Sequence, residues 1–173
     1  MSPSFREIRR RCEALARTVP LPQPFDARGL CRVLAHERGR PITLTPMNAH
    51  DSGVLGLWVA TDQTDMIFYE ASTTPPHQEH IILHELAHVL CDHHAARLSA
   101  NELTRMLMPN LDPVMVQRIL GRTTYQAEQE QEAELLASLI TQRAQREAVP
   151  GHRTSAVADR INAVFDWPEP GND

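Results

Sequence analysis

Apolar residues recur at helical spacing at the start of the chain. Phe5, Ile8, Cys12, Leu15 and Ala16 share one side and arginines fill the other, which predicts a helix over about 4–18. The run Val19-Pro-Leu-Pro-Gln-Pro-Phe25 breaks that pattern and reads as a linker. Asp26 is placed to N-cap a second helix, which stacks Leu30, Val33 and Leu34 and stops at Gly39 and Pro41. From 42 to 70 the texture becomes β-prone. The runs Ile42–Thr45, Leu55–Ala60 and Met66–Tyr69 are separated by turn residues at Asn48, Asp51-Ser-Gly53 and Asp62, and they predict a small antiparallel meander. Thr74-Pro75-Pro76 reads as a helix start, with Thr74 as N-cap and Pro75 in the first helical position, and the helical pattern continues through His94. Shorter helices are predicted near 100–108 and 113–121, a long one over about 125–147, and an amphipathic segment over Ser155–Phe165. Strands followed by helices imply the α+β class, a small antiparallel three-stranded sheet packed against a helical bundle. Residues 1–24 form the N-terminal helix and Pro-rich linker, 25–167 one domain, and 168–173 a tail.

The helix after Pro75 carries His84-Glu85-Leu86-Ala87-His88, an H-E-x-x-H sequence. Histidines four apart project from one helical face, so both imidazoles can meet one metal ion, Zn²⁺ being the expected one. Glu85 lies about 100° round from His84, where it can reach the attacking water without ligating the metal. Ile81, Ile82, Leu86, Val89 and Leu90 supply the apolar flank that buries the helix. A catalytic zinc needs a third protein ligand. The acid-dense helix downstream offers Glu128, Glu130, Glu132 and Glu134. Glu130 and Glu134 share a face with Ala133 and Ala137, small residues that permit close helix approach, and are expected to face the His helix. Glu128 and Glu132 point almost the opposite way and are expected in solvent.

These two motifs resemble the zinc metallopeptidases of the ImmA/IrrE type, His84-Glu-Leu-Ala-His88 being followed by a helix reading Glu130-Gln-Glu-Ala-Glu-Leu-Leu-Ala137. The order of helix, small sheet, motif helix and Glu helix is similar too, over roughly 25–145. The resemblance implies that Glu130 is the third zinc ligand and that the residue four later, here Glu134, supports a zinc-bound His through a hydrogen bond. The family usually has Asn or Asp at that position, so an exchange of roles between Glu130 and Glu134 stays open. The family's Leu-Leu-Met-Pro ending of this helix is replaced by Ser138-Leu-Ile-Thr-Gln. The resemblance further implies an endopeptidase that cleaves or inactivates a helix-turn-helix transcriptional repressor carried on a separate chain. The alternative is a zinc-binding toxin or regulatory protein that binds without cutting.

Composition narrows the setting. The 173 residues suit one core, and the 42% apolar and 23% charged content is that of a globular protein. A net charge of −5 argues against direct nucleic-acid binding, so Arg9-Arg10-Arg11 reads as a solvated face. No apolar run of the length a membrane span needs is present, and the start lacks a signal-peptide core; a cytoplasmic location is expected. Cys12, Cys31 and Cys91 form an odd set without a C-x-x-C pair and are expected as buried thiols. His77 and His80 are placed at the polar mouth of the cleft, and His93 and His94 at the surface. Asp92, four past His88, is read as part of a solvated last turn, and Tyr69 and Tyr125 are candidate oxyanion donors. Met66–Tyr69, the strand just before the motif helix, is expected as the edge strand along which a substrate extends.

Overall fold

A computed structural model describes residues 4–48, 54–93 and 125–148. The helices expected near 100–108 and 113–121, His94, the segment 155–165 and the tail all lie outside the described residues. Among the described residues four helices and three strands run in the order α1 (Phe5–Thr18), α2 (Ala27–Arg38), β1 (Ile42–Met47), β2 (Gly56–Ala60), β3 (Asp65–Glu70), α3 (Pro75–Leu90) and α4 (Ala127–Ala148). Among the described residues no helix is long and apolar enough to cross a membrane.

The helix ends follow local chemistry. The Glu7 carboxylate accepts the Ser4 N–H at 2.7 Å and so starts α1. Asp26 Oδ1 accepts the Gly29 N–H at 2.6 Å at the start of α2, and Gly39 ends that helix at φ 59°, a left-handed position suited to glycine. Pro75 opens α3, although the Thr74 side chain makes no capping bond. At the other end α3 stops at Leu90, short of the expected His94. Asp92 adopts φ 55°, its N–H bonds the Val89 carbonyl at 3.3 Å, and the His93 N–H bonds the His88 carbonyl at 3.0 Å. This is a Schellman ending with a non-glycine residue in the left-handed position, and it folds His93 back beneath His88.

The α+β class holds, but the sheet is mixed, in the order β1-β3-β2. β2 pairs antiparallel with β3 as a hairpin, with Trp58 opposite Ile67, whereas β1 pairs parallel with β3, with Leu44 opposite Ile67. The expected meander fails at β1 because the chain passes over to the far side of β3 before the hairpin begins. A second correction follows, since β3 is the central strand and not an edge. Its successive N–H groups alternate between neighbours: Asp65 donates to the Pro41 carbonyl at 2.9 Å and Glu70 to the Leu55 carbonyl at 2.8 Å. Every β3 residue is accordingly buried.

The core joins α1, α2, α3, α4 and one face of the sheet through Ile8, Cys12, Leu30, Trp58, Ile67, Ile82, Leu86, Leu136 and Ile140. α4 lies between α1 and α3, its buried stripe being Glu132, Ala133, Leu136, Ala137, Ile140 and Ala144. The Arg143 guanidinium donates to the carbonyls of Ala16 at 2.7 Å and Val19 at 2.6 Å, satisfying the free C-terminal carbonyls of α1. Cys12 and Cys31 are buried free thiols and Cys91 is half-buried.

Candidate metal centre

Helical spacing on α3 and the close packing of α3 on α4 bring His84, His88 and Glu130 together. His84 Nε2 and His88 Nε2 are 3.1 Å apart. Glu130 Oε2 lies 3.2 Å from His84 Nε2, and its Oε1 lies 3.9 Å from His88 Nε2. Ligands at about 2.0–2.1 Å from a tetrahedral ion stand roughly 3.3 Å from one another, so this donor set fits a zinc-sized cation without rearrangement of the helices. His88 is fully buried while Glu130 is half-exposed, so the cluster opens to solvent on the α4 side. Glu134 Oε2 approaches the other nitrogen of His84, Nδ1, at 3.3 Å and also His80 Nε2 at 3.2 Å. His77 Nδ1 pairs with Thr73 Oγ1 at 2.8 Å instead.

Glu85 turns toward the sheet. It is buried, the Trp58 backbone N–H bonds its carboxylate, and its Oε2 has no partner among the described residues. Burial, and then the nearby Glu130 charge, push the Glu85 carboxyl up to about 8 against the lowering effect of the Trp58 N–H. A cation between His84, His88 and Glu130 would counter both raising effects. Gly56 lets this side chain in, because a Cβ there would stand 2.5 Å from Glu85 Oε1 and 2.8 Å from Ile81 Cγ2. Burial, then the charges of His84 and His93, pull His88 down to about 3, so it stays a neutral imidazole with a lone pair to offer.

Behind His88 lies a second layer. His93, expected at the surface, is buried, and its Nδ1 meets His88 Nδ1 at 2.8 Å. His93 Nε2 meets Glu132 Oε2 at 3.3 Å, and Glu132 forms a bidentate pair with the guanidinium of Arg11. Glu132, expected in solvent because the periodicity counts the acid as polar without seeing α1, is buried, whereas Arg11 keeps its solvated face and reaches the acid from there. Yet Glu132 sits in the same stripe as Leu136 and Ile140, and a lone acid in an apolar stripe was the readable signal. Burial lowers His93, and although burial raises Glu132, the bonds from Arg11 and His93 outweigh it and hold that carboxyl below its usual range.

The two tyrosines part company. Tyr69 Oη accepts from Arg28 Nη2 at 2.8 Å, away from the histidines. Tyr125 stacks on His88, ring centroids 3.7 Å apart and planes at 17°, with a buried hydroxyl that has no hydrogen-bond partner among the described residues. Burial, then the charges of Glu85 and Glu130, raise that hydroxyl, so it remains an O–H donor.

Residues 35–167 match the peptidase M78 family, described as an IrrE N-terminal-like domain. The chain belongs to this family. It is a metallopeptidase of the ImmA/IrrE type, and a peptidase implies a protein substrate. The match starts within α2 and leaves α1 outside it, so Arg11 enters the site from beyond the matched region. No curated protein and no solved structure matches the chain.

Proposed function

We propose that this chain is a zinc-dependent endopeptidase in which His84, His88 and Glu130 hold Zn²⁺, Glu85 is the general base, and Glu134 orients His84 through Nδ1. The observation that carries the reading is the convergence of two imidazole nitrogens and one carboxylate, within 4.8 Å of one another, beside a buried Glu85 oxygen that has no partner among the described residues. Bound there, Zn²⁺ supplies Lewis-acid polarisation of the scissile carbonyl and a lower pKa for the attacking water. Glu85 Oε2 takes the proton of that water and returns it to the departing amide nitrogen. The Trp58 N–H and the space over Gly56 hold the carboxylate in position. The Tyr125 hydroxyl is the nearby donor for the developing oxyanion.

The substrate is extended along β2. In the hairpin ladder Leu55 and Thr61 face β3, so the backbone groups of Gly56, Trp58 and Ala60 face outward. The Trp58 N–H is taken by Glu85, which leaves the Gly56 amide and the carbonyls of Gly56 and Trp58 for a peptide added as a further strand. We assign this role to a loop or linker of a helix-turn-helix repressor on a separate cytoplasmic chain. Purified protein should carry about one zinc, lost in His84→Ala, and the zinc-loaded enzyme should cut a repressor encoded beside it. Glu85→Gln should keep the zinc and lose the cleavage. Zinc-loaded protein that binds the repressor and leaves it whole would make this a regulatory binding protein instead.

A further inference from the structure

We propose that His93 is a positioning residue for His88, and that Glu132 and Arg11 hold it so that the N-terminal helix sets the tautomer in which His88 presents its Nε2 lone pair. The inference rests on the zinc reading above. It begins with the backbone: Asp92 in the left-handed conformation ends α3 one turn after His88 and carries the His93 ring under it, with ring centroids 4.9 Å apart.

Counting protons fixes the direction of the chain. A carboxylate has no proton, and Glu132, bound by both arms of the Arg11 guanidinium, stays a carboxylate and accepts. His93 therefore donates from Nε2 across 3.3 Å, and as a neutral imidazole it has only a lone pair left at Nδ1. That lone pair faces His88 Nδ1 at 2.8 Å, so the His88 proton must sit on Nδ1. What remains is a lone pair on His88 Nε2, the nitrogen aimed at His84 and Glu130. His88, His93 and Glu132 are all buried, so water does not readily replace a missing partner. Metal-binding histidines are commonly oriented by a carboxylate or carbonyl on the second nitrogen. Here a second imidazole is inserted, and the carboxylate acts through it.

Cys91, His93 and Glu132 also bring one ligand atom each within 4.8 Å, a geometry open to a second metal. Arg11 already supplies the cation at Glu132 and occupies both of its oxygens, which favours the relay.

The test uses the full chain, metal-free, with ¹⁵N-labelled histidine. Long-range ¹H–¹⁵N correlations should show His88 protonated at Nδ1. In Glu132→Gln the amide oxygen goes to Arg11, and the NH₂ faces His93. The relay is then reversed, so the His88 proton should move to Nε2. In His93→Phe the His88 Nδ1–H loses its acceptor, and zinc affinity by chelator competition should fall roughly 10- to 100-fold. His93→Gln, whose amide oxygen can accept that proton, should recover most of the loss. A merely structural role would lower the melting temperature without moving the tautomer. His88 protonated at Nε2 in the wild type overturns the proposal, as does unchanged zinc affinity in folded His93→Phe. A second zinc equivalent that disappears in Cys91→Ser overturns it too, by making His93 and Glu132 ligands. Should the wild type bind no zinc, the zinc reading fails, and the tautomer of metal-free His88 still decides the relay.

Discussion

At Gly56 a single missing methyl group makes room for the Glu85 side chain, the proposed general base. Gly56→Ala places a carbon 2.5 Å from Glu85 Oε1, so the carboxylate must move, while His84, His88 and Glu130 lie elsewhere. Misplacement of a reacting group by about 1 Å can cost on the order of 10²-fold. Cleavage in Gly56→Ala should therefore fall by one to two orders of magnitude with zinc content unchanged, checked by turnover and elemental analysis on the same sample. The two acids of α4 differ in the nitrogen of His84 that they meet, Nε2 for Glu130 and Nδ1 for Glu134. Glu130→Ala should cost more zinc affinity than Glu134→Ala, whose loss should be about 10- to 100-fold. The reverse order in a chelator titration would exchange their roles. Helical spacing alone put both acids on one face. Nothing in the local sequence marked Gly56, because its crowding comes from a helix nearly thirty residues away.

At the scale of elements, the end of α3 decides what stands behind His88. A non-glycine residue in the left-handed region costs about 1–2 kcal/mol, a cost that Asp tolerates better than most. Asp92→Gly should raise stability by up to about 1 kcal/mol in urea melts and keep zinc affinity. Asp92→Val should lower stability by at least about 1–2 kcal/mol and weaken zinc as well, since His93 would leave its place under His88. Zinc affinity untouched in a folded Asp92→Val would detach the helix end from the site. The caps at Asp26 and Gly39 and the proline start of α3 were legible, because each involves residues three or four apart. The strand order was not. A β-prone run shows that it will pair, while its partner depends on how a connection crosses the sheet, and so β1 came to lie parallel to a central β3.

In the whole molecule, α1 is both core and support. Ile8, Cys12 and Ala16 are buried, and Arg11 reaches Glu132 across α4. Removing one partner of a buried pair costs about 3–5 kcal/mol, but Arg11 is more than half exposed, so Arg11→Ala should cost only about 1–2 kcal/mol in urea melts. The pH dependence has a definite sign. Glu132 is held below its usual range, so it adds stability above the unfolded carboxylate pKa and loses it as pH falls through the lowered value. Without Arg11 that carboxyl titrates higher, and the acid-unfolding midpoint of Arg11→Ala should shift to higher pH; an unmoved midpoint would show that the pair contributes nothing. By itself the sequence determined the four described helices apart from the end of α3, the shared face of His84 and His88, the place of Glu85 beside them and the pair Glu130 and Glu134, because helix geometry converts spacing directly into direction. Only the tertiary structure decided the strand order, the space at Gly56, the burial of His93 and Glu132, and the pairing of Glu132 with Arg11. Those depend on which surfaces meet, and an acid reads as solvated until the helix that covers it is in place.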